Sequence, residues 1–153
     1  MSNFFFIERK SNKINSPLIV LIHGYGSNER DLFSLIDYFP IDSYVISLRA
    51  PKELFNDSYA WYDIYLDSNN KFYDHDAAAR VRDELFHFID DLSKSPNIDS
   101  DNITLIGFSQ GAILSHAISF SYPEKIKNII ALSGVVDEKI MKKTSLIPKT
   151  NIY

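Results

Sequence analysis

Residues 103–111 have the sequence Ile-Thr-Leu-Ile-Gly-Phe-Ser-Gln-Gly, which is the most informative segment of the chain. Its first four residues are typical of a buried strand, and the residues from Gln110 to Phe120 favour a helix. Because no residues remain for a loop between the two, the chain must turn sharply at Ser109. Gly107 and Gly111 lack the Cβ atoms that would clash in so tight a turn. The segment therefore predicts a strand–turn–helix unit with Ser109 at the turn.

Strand and helix patterns alternate on either side of this segment. Aliphatic or apolar runs typical of strands cover residues 4–7, 17–22, 44–48 and 126–132. Apolar residues at helical spacing cover residues 29–39 and 76–93. Residues 51–75 are rich in aromatic side chains and show no regular pattern, and residues 150–153 are typical of the start of a further strand. The alternation predicts one α/β domain over residues 1–153, with a mostly parallel, doubly wound sheet.

The composition restricts the classes of function. With 45% hydrophobic residues the chain can form an ordinary buried core, and its net charge of −4 disfavours binding to nucleic acid. The absence of cysteine excludes thiolate nucleophiles and Cys-ligated metal sites. No signal-peptide pattern is present, and no apolar run approaches the roughly 18 residues of a membrane helix. We therefore expect a cytoplasmic domain without stable membrane insertion.

The turn at Ser109 is a candidate for nucleophilic chemistry. It places the hydroxyl near a helix N-terminus, where backbone N–H groups have no partner and the dipole favours negative charge. Acyl transfer requires such donors, because a tetrahedral oxyanion forms beside the attacking oxygen. A second donor is expected from the loop His23-Gly24-Tyr25-Gly26 after the first buried strand. We predict that the backbone N–H groups of Tyr25 and Gln110 form the oxyanion hole, and that His23 has a structural role.

Three separated blocks of sequence occur in a fixed order. They are Leu21–Asn28 with Asp31-Leu32, Ala50-Pro51 with Trp61-Tyr62-Asp63-Ile64, and Gly107–Gly111; Leu132-Ser133-Gly134 is a weaker fourth. Together they resemble the phospholipase/carboxylesterase family of α/β-hydrolases, which includes acyl-protein thioesterases and small bacterial carboxylesterases. The resemblance implies an α/β-hydrolase fold and hydrolysis of small acyl esters or thioesters, with no cofactor and no metal. It also implies that Ser109 is the nucleophile and that Tyr25 and Gln110 hold the oxyanion.

The remaining triad residues have no matching positions in the chain. In α/β-hydrolases the chain order is Ser, then an acid, then His. Only His116 follows Ser109, and seven helical residues place it about 10 Å away. We therefore expect a domain that lacks its last strands and helix and leaves residues 126–132 as a bare sheet edge. Two interpretations stay open: a serine esterase or thioesterase, and a non-catalytic hydrolase-like binding domain or inactive fragment.

Two aromatic residues are candidate substrate contacts. Trp61 belongs to the second block, and Phe108 directly precedes Ser109. The segment 51–75 around Trp61 is compatible with an acyl pocket and equally with packing beneath a long loop. Asp63 in this segment is assigned a structural role, and His75 and His87, which lie just before and within the helix 76–93, are assigned surface or packing roles.

Overall fold

The computed structural model describes residues 4–67 and 70–153, and a six-stranded sheet forms its centre. The strands are β1 Phe6–Arg9, β2 Ser16–Ile22, β3 Tyr44–Leu48, β4 Lys52–Phe55, β5 Ser58–Ala60, β6 Ile64–Asp67, β7 Asn70–Tyr73, β8 Ile98–Phe108, β9 Asn128–Leu132 and β10 Asn151–Ile152. The helices are α1 Arg30–Phe33, α2 His75–Ser93 and α3 Gln110–Ser121, with 3₁₀ turns at Ile36–Tyr38 and Glu138–Ile140. Among these helices, none is both long and apolar enough to cross a bilayer.

The central sheet has the strand order β1-β3-β2-β8-β9-β10. All neighbouring pairs are parallel except β1 and β3, which are antiparallel. Side chains of β2 alternate between the two faces: Leu18 packs with α2 and α3, and Ile19 packs with Leu32 of α1 on the opposite face. Because both faces are covered, β2 is an unbroken aliphatic run. The predicted α/β fold with a mostly parallel, doubly wound sheet is confirmed.

The predicted helix over residues 29–39 is wrong in its length. The α-helix ends at Phe33, and only a 3₁₀ turn over Ile36–Tyr38 follows. Leu32 is buried, and Phe33, Ile36 and Phe39 pack against the same cluster, so the apolar stripe does mark a buried face and only its Leu35 is exposed. The backbone along this face is a short α-helix followed by a 3₁₀ turn, which presents residues three positions apart on one side in a similar way. Phe39 is extended, as expected for a residue before proline.

Residues 51–75 contain regular structure that the sequence pattern did not indicate. β4 and β5 form one antiparallel hairpin, and β6 and β7 form another. The first hairpin turns at Asn56 and Asp57, which both have positive φ angles. Asn and Asp tolerate this conformation better than other non-glycine residues, so the dipeptide was an available signal for the hairpin.

The sheet edge beside β9 is partly covered. The N–H of Asn151 donates to the carbonyl oxygen of Lys127, and the N–H of Tyr153 donates to that of Ile129, both at 2.9 Å. Ile129 is fully buried, whereas Leu132 at the end of β9 remains exposed. The prediction of a strand within residues 150–153 is confirmed, and the expectation of a fully bare edge is wrong because β10 pairs with β9.

Asp83 on α2 is expected to make stability depend on pH. Its carboxylate accepts hydrogen bonds from Arg82 and Tyr122 and pairs with Lys142. Burial, the largest influence, raises the pKa of Asp83, but these three partners together lower it from 3.8 to about 2. A lowered pKa in the folded state means that the stabilisation is complete above pH 3.8 and is lost as the pH falls towards 2.

We expect Asp83→Asn to lower the free energy of unfolding by roughly 1–2 kcal/mol near neutral pH, after allowance for partial exposure. Urea titrations between pH 2 and pH 7 would measure the difference from the unmodified chain, which should shrink below about pH 4. Asp37→Asn, at an exposed position, is the control and should cause little change. A difference for Asp83→Asn that stays constant down to pH 2 would contradict this account.

Candidate active site

Ser109 has a strained backbone conformation between β8 and α3. Its φ of 52° and ψ of −111° lie outside the regions that a non-glycine residue normally occupies. Hydrogen bonds hold it on both sides: its N–H donates to the carbonyl oxygen of Leu132 at 2.9 Å, and its carbonyl accepts from the N–H of Ile113 at 3.1 Å. Such strain persists only where the surrounding structure enforces it, and it is concentrated at functional sites.

The two glycines of the turn allow close backbone contacts. A Cβ atom at Gly111 would lie 1.9 Å from the carbonyl oxygen of Ile22, at the end of β2. A Cβ atom at Gly107 would lie 2.3 Å from the carbonyl carbon of Gly111. The first turn of α3 therefore packs directly against the strand backbone, and only glycine fits at either position.

The loop after β2 lies beside Ser109. A Cβ atom at Gly24 would be 3.3 Å from the Cβ of Ser109 and 2.9 Å from Cδ1 of Phe108. Tyr25 is the next residue, and its ring is partly exposed. The two segments predicted to supply the oxyanion donors, the loop 23–26 and the start of α3, are therefore neighbours.

The hairpin of β4 and β5 holds this loop in place. The N–H of Gly26 donates to the carbonyl of Tyr59, and the N–H of Tyr59 donates to the carbonyl of Ser27, both at 2.8 Å. The hydroxyl of Ser58 donates to the carbonyl of Gly26 at 2.8 Å. The sequence did not indicate these contacts, because residues 51–75 show no regular pattern and the hairpin was not predicted.

His23 is a buried structural residue. Its Nε2 accepts from the backbone N–H of Ala50 at 3.1 Å, so the ring proton is on Nδ1, which donates to the carbonyl of Gly24 at 2.7 Å. Burial lowers the pKa of His23 and favours this neutral form. Both ring nitrogens have partners, as a structural role requires.

A buried ion pair supports the same region. Glu29 is only 1% exposed and accepts two hydrogen bonds of 2.7 Å from the guanidinium of Arg49. Arg49 lies between two aromatic rings, 4.2 Å from the centroid of Phe5 and 4.7 Å from that of Tyr59. These bonds hold the pKa of Glu29 below its ordinary value despite the burial. No local motif links residues 20 positions apart, so sequence inspection did not find the pair.

A cavity of about 320 Å³ adjoins Ser109. Its lining comprises Tyr62, Ile64, Tyr73, Ser109, Gln110, Ile113, Ser133, Gly134 and Val135. The first three come from the segment 51–75, so part of that aromatic segment does face Ser109. A cavity with mainly apolar walls and a hydroxyl among its lining groups can hold a small acyl chain next to that hydroxyl.

The other candidate residues do not line this cavity. Neither predicted substrate contact is among the lining residues: Trp61 is 2% exposed, and Phe108 is 43% exposed and packs on Gly24. Asp63 pairs with Lys52 at the surface. His116 is buried within α3.

Beside the cavity wall, Asp137 accepts a hydrogen bond from the hydroxyl of Tyr73 and lies 3.6 Å from Nε2 of His75. The ring of Tyr73 also packs against those of His75 and Tyr62, with centroids 4.6 Å and 4.9 Å apart. These contacts join the β6–β7 hairpin to the loop after β9, and they give His75 the packing role expected from the sequence.

Known proteins resemble the chain in both sequence and fold. MhqD of Bacillus subtilis (strain 168) is 28% identical over 113 residues, which cover 74% of this chain and 54% of the relative. Acyl-protein thioesterase 1 of Schizosaccharomyces pombe is 36% identical over 75 residues, which cover 49% of this chain and 33% of the relative. The crystal structure of a Bacillus cereus carboxylesterase superimposes with a TM-score of 0.70 at 26% identity, covering 83% of this chain and 58% of that one.

The chain spans about half the length of the first of these relatives and a third of the second. The sequence profile described as Phospholipase/Carboxylesterase matches residues 2–153. The match includes all three sequence blocks, the strained Ser109 and the loop beside it. On these grounds the chain belongs to the phospholipase/carboxylesterase family of α/β-hydrolases.

Proposed function

We propose that the protein hydrolyses carboxylic esters or thioesters with small acyl groups, and that Ser109 is the nucleophile. One observation carries the proposal. Ser109 is held in a strained turn at the N-terminus of α3, next to the loop 23–26 and on the wall of an acyl-sized cavity. The family membership supports the same reaction class. A binding-only domain would have no need for a strained serine at this position.

In the proposed reaction, Oγ of Ser109 attacks the carbonyl carbon of the bound ester and transfers its proton to a base. The carbonyl oxygen becomes an oxyanion that accepts hydrogen bonds from the backbone N–H groups of Tyr25 and Gln110. Gln110 is the first residue of α3, so its N–H has no acceptor within the helix. The base returns the proton to the alcohol or thiol as it leaves, and water then hydrolyses the acyl group to a carboxylic acid and restores the Ser109 hydroxyl.

Neither His23 nor His116 is the base in this scheme. His23 has partners on both ring nitrogens, and His116 lies seven residues further along α3. A missing base slows both attack by Ser109 and attack by water, but an ester with a good leaving group still acylates faster than water releases the acyl group, so an acyl group on Ser109 should accumulate. This makes the covalent intermediate a better readout than turnover.

Acylation by p-nitrophenyl butyrate tests the proposal. We expect peptide mass spectrometry after an acid quench to find one butyryl group on Ser109, and none in Ser109→Ala. Ser133→Ala removes another hydroxyl from the same cavity and should leave the acylation intact. A butyryl thioester distinguishes the substrate classes, because a chain without cysteine adds no thiol background. Saturable binding of the ester with Ser109 unmodified would instead favour a binding domain.

A further inference from the structure

We propose that the side chains of Gln110 and Trp61 form a bridge that fixes the two oxyanion donors relative to each other. Both are positioning residues in this scheme, which rests on the proposed function. The donors come from segments far apart in the sequence, the loop after β2 and the first residue of α3. Three hydrogen bonds join these segments through Trp61 and its neighbour Tyr62.

The Gln110 side chain makes one half of the bridge. It is 1% exposed; its Oε1 accepts from the backbone N–H of Trp61 at 3.1 Å, and its Nε2 donates to the carbonyl of Tyr62 at 2.8 Å. An uncharged amide supplies a donor and an acceptor at this spacing. An apolar side chain of the same length would leave both backbone groups buried without partners.

The Trp61 side chain makes the other half. Its Nε1–H donates to the carbonyl of His23 at 2.8 Å, and its ring packs against the His23 ring with centroids 5.3 Å apart. The His23 ring in turn bonds the carbonyl of Gly24 and the N–H of Ala50. The bridge therefore ends at the carbonyl groups of His23 and Gly24, the two residues directly before Tyr25.

The reaction gives this bridge a measurable consequence. Oxyanion donors accelerate acyl transfer only when they already point at the place where the charge develops. Loosening one donor should therefore slow acylation of Ser109 while leaving ester binding nearly unchanged. A role in folding alone would lower stability without this selective loss of rate.

The test measures the maximal acylation rate and the half-saturating ester concentration for Gln110→Met, Trp61→Phe and the double variant. We expect each single variant to lower the maximal rate about 10- to 100-fold, less than the loss of a whole donor. The half-saturating concentration should stay within about threefold, and the double variant should be little slower than the slower single variant. Ser115→Ala, which removes a buried hydrogen bond within α3, is the matched control and should keep the original rate.

Gln110→Glu adds a pH readout that loss of packing would not produce. A buried carboxyl is protonated at moderately acidic pH, and its acid form can donate and accept as the amide does. We expect the rate of this variant, relative to that of the unmodified chain at the same pH, to recover as the pH falls. A ratio that does not change with pH would count against the bridge.

Full acylation rates in both Gln110→Met and Trp61→Phe would overturn the proposal. If the unmodified chain is not acylated, the proposed function fails, but the bridge can still be tested separately. Amide ¹⁵N–¹H spectra of ¹⁵N-tyrosine-labelled protein should then show a shifted Tyr25 signal in both Gln110→Met and Trp61→Phe. A Tyr25 signal identical to that of the unmodified protein would refute the bridge independently of catalysis.

Discussion

Gly111→Ala is expected to lower the free energy of unfolding by about 4 kcal/mol or more, enough to leave little folded protein. The added methyl group would lie 1.9 Å from the carbonyl oxygen of Ile22 and 2.9 Å from that of His23. Neither atom can move easily, because β2 is hydrogen-bonded to β3 on one side and to β8 on the other. Relief of the clash would require α3 to move away from the sheet.

Gly26→Ala is the matched control for this substitution. The nearest atom to the added Cβ would be Oγ of Ser58 at 3.6 Å, an ordinary van der Waals distance, although the φ of +79° at this position favours glycine. The cost should therefore be about 1–2 kcal/mol. Denaturation midpoints followed by far-UV circular dichroism would compare the two variants. Equal midpoints would mean that the contact between α3 and β2 is not rigid.

Glu29→Ala is expected to lower the free energy of unfolding by about 2–3 kcal/mol, because the Arg49 guanidinium, 24% exposed, loses its two hydrogen bonds to Glu29 and is left with Asp57 at 3.9 Å. The double variant Glu29→Ala/Arg49→Met should lose less stability than Glu29→Ala alone, since the charge of Arg49 is removed together with that of its partner. Lys13→Met removes one member of an exposed ion pair and should leave the denaturation midpoint almost unchanged. A double variant less stable than Glu29→Ala would contradict the assigned role of the ion pair.

The Glu29–Arg49 pair also predicts how the stability of the fold changes with pH. Hydrogen bonds from Arg49, the largest influence, lower the pKa of Glu29 from 4.5 in the folded state. Its stabilisation is therefore complete above pH 4.5 and is lost as the pH falls through the lowered pKa. The midpoint difference between the unmodified chain and Glu29→Ala should shrink over this acidic range. A difference that grows on acidification would mean that the sign of the shift is wrong.

Patterns that extend over only a few residues were enough to predict several strands and helices. The aliphatic runs identified β2 and β3, and the turn at Ser109 identified the end of β8 and the start of α3. The helix over residues 29–39 was predicted too long, because the apolar spacing of Leu32, Ile36 and Phe39 marks one buried face and does not distinguish a continuous α-helix from a short helix followed by a 3₁₀ turn. The two hairpins of residues 51–75 were not predicted, because their short strands carry no clear alternation of apolar and polar residues.

The amino-acid order alone was enough for the strand–turn–helix unit around Ser109, because backbone sterics at Gly107 and Gly111 act over a few residues. It was not enough for the surroundings of that serine. The Glu29–Arg49 pair and the Gln110–Trp61 bridge join residues 20 and 49 positions apart. Contacts at such separations depend on how the sheet and its loops pack, and no local pattern encodes them.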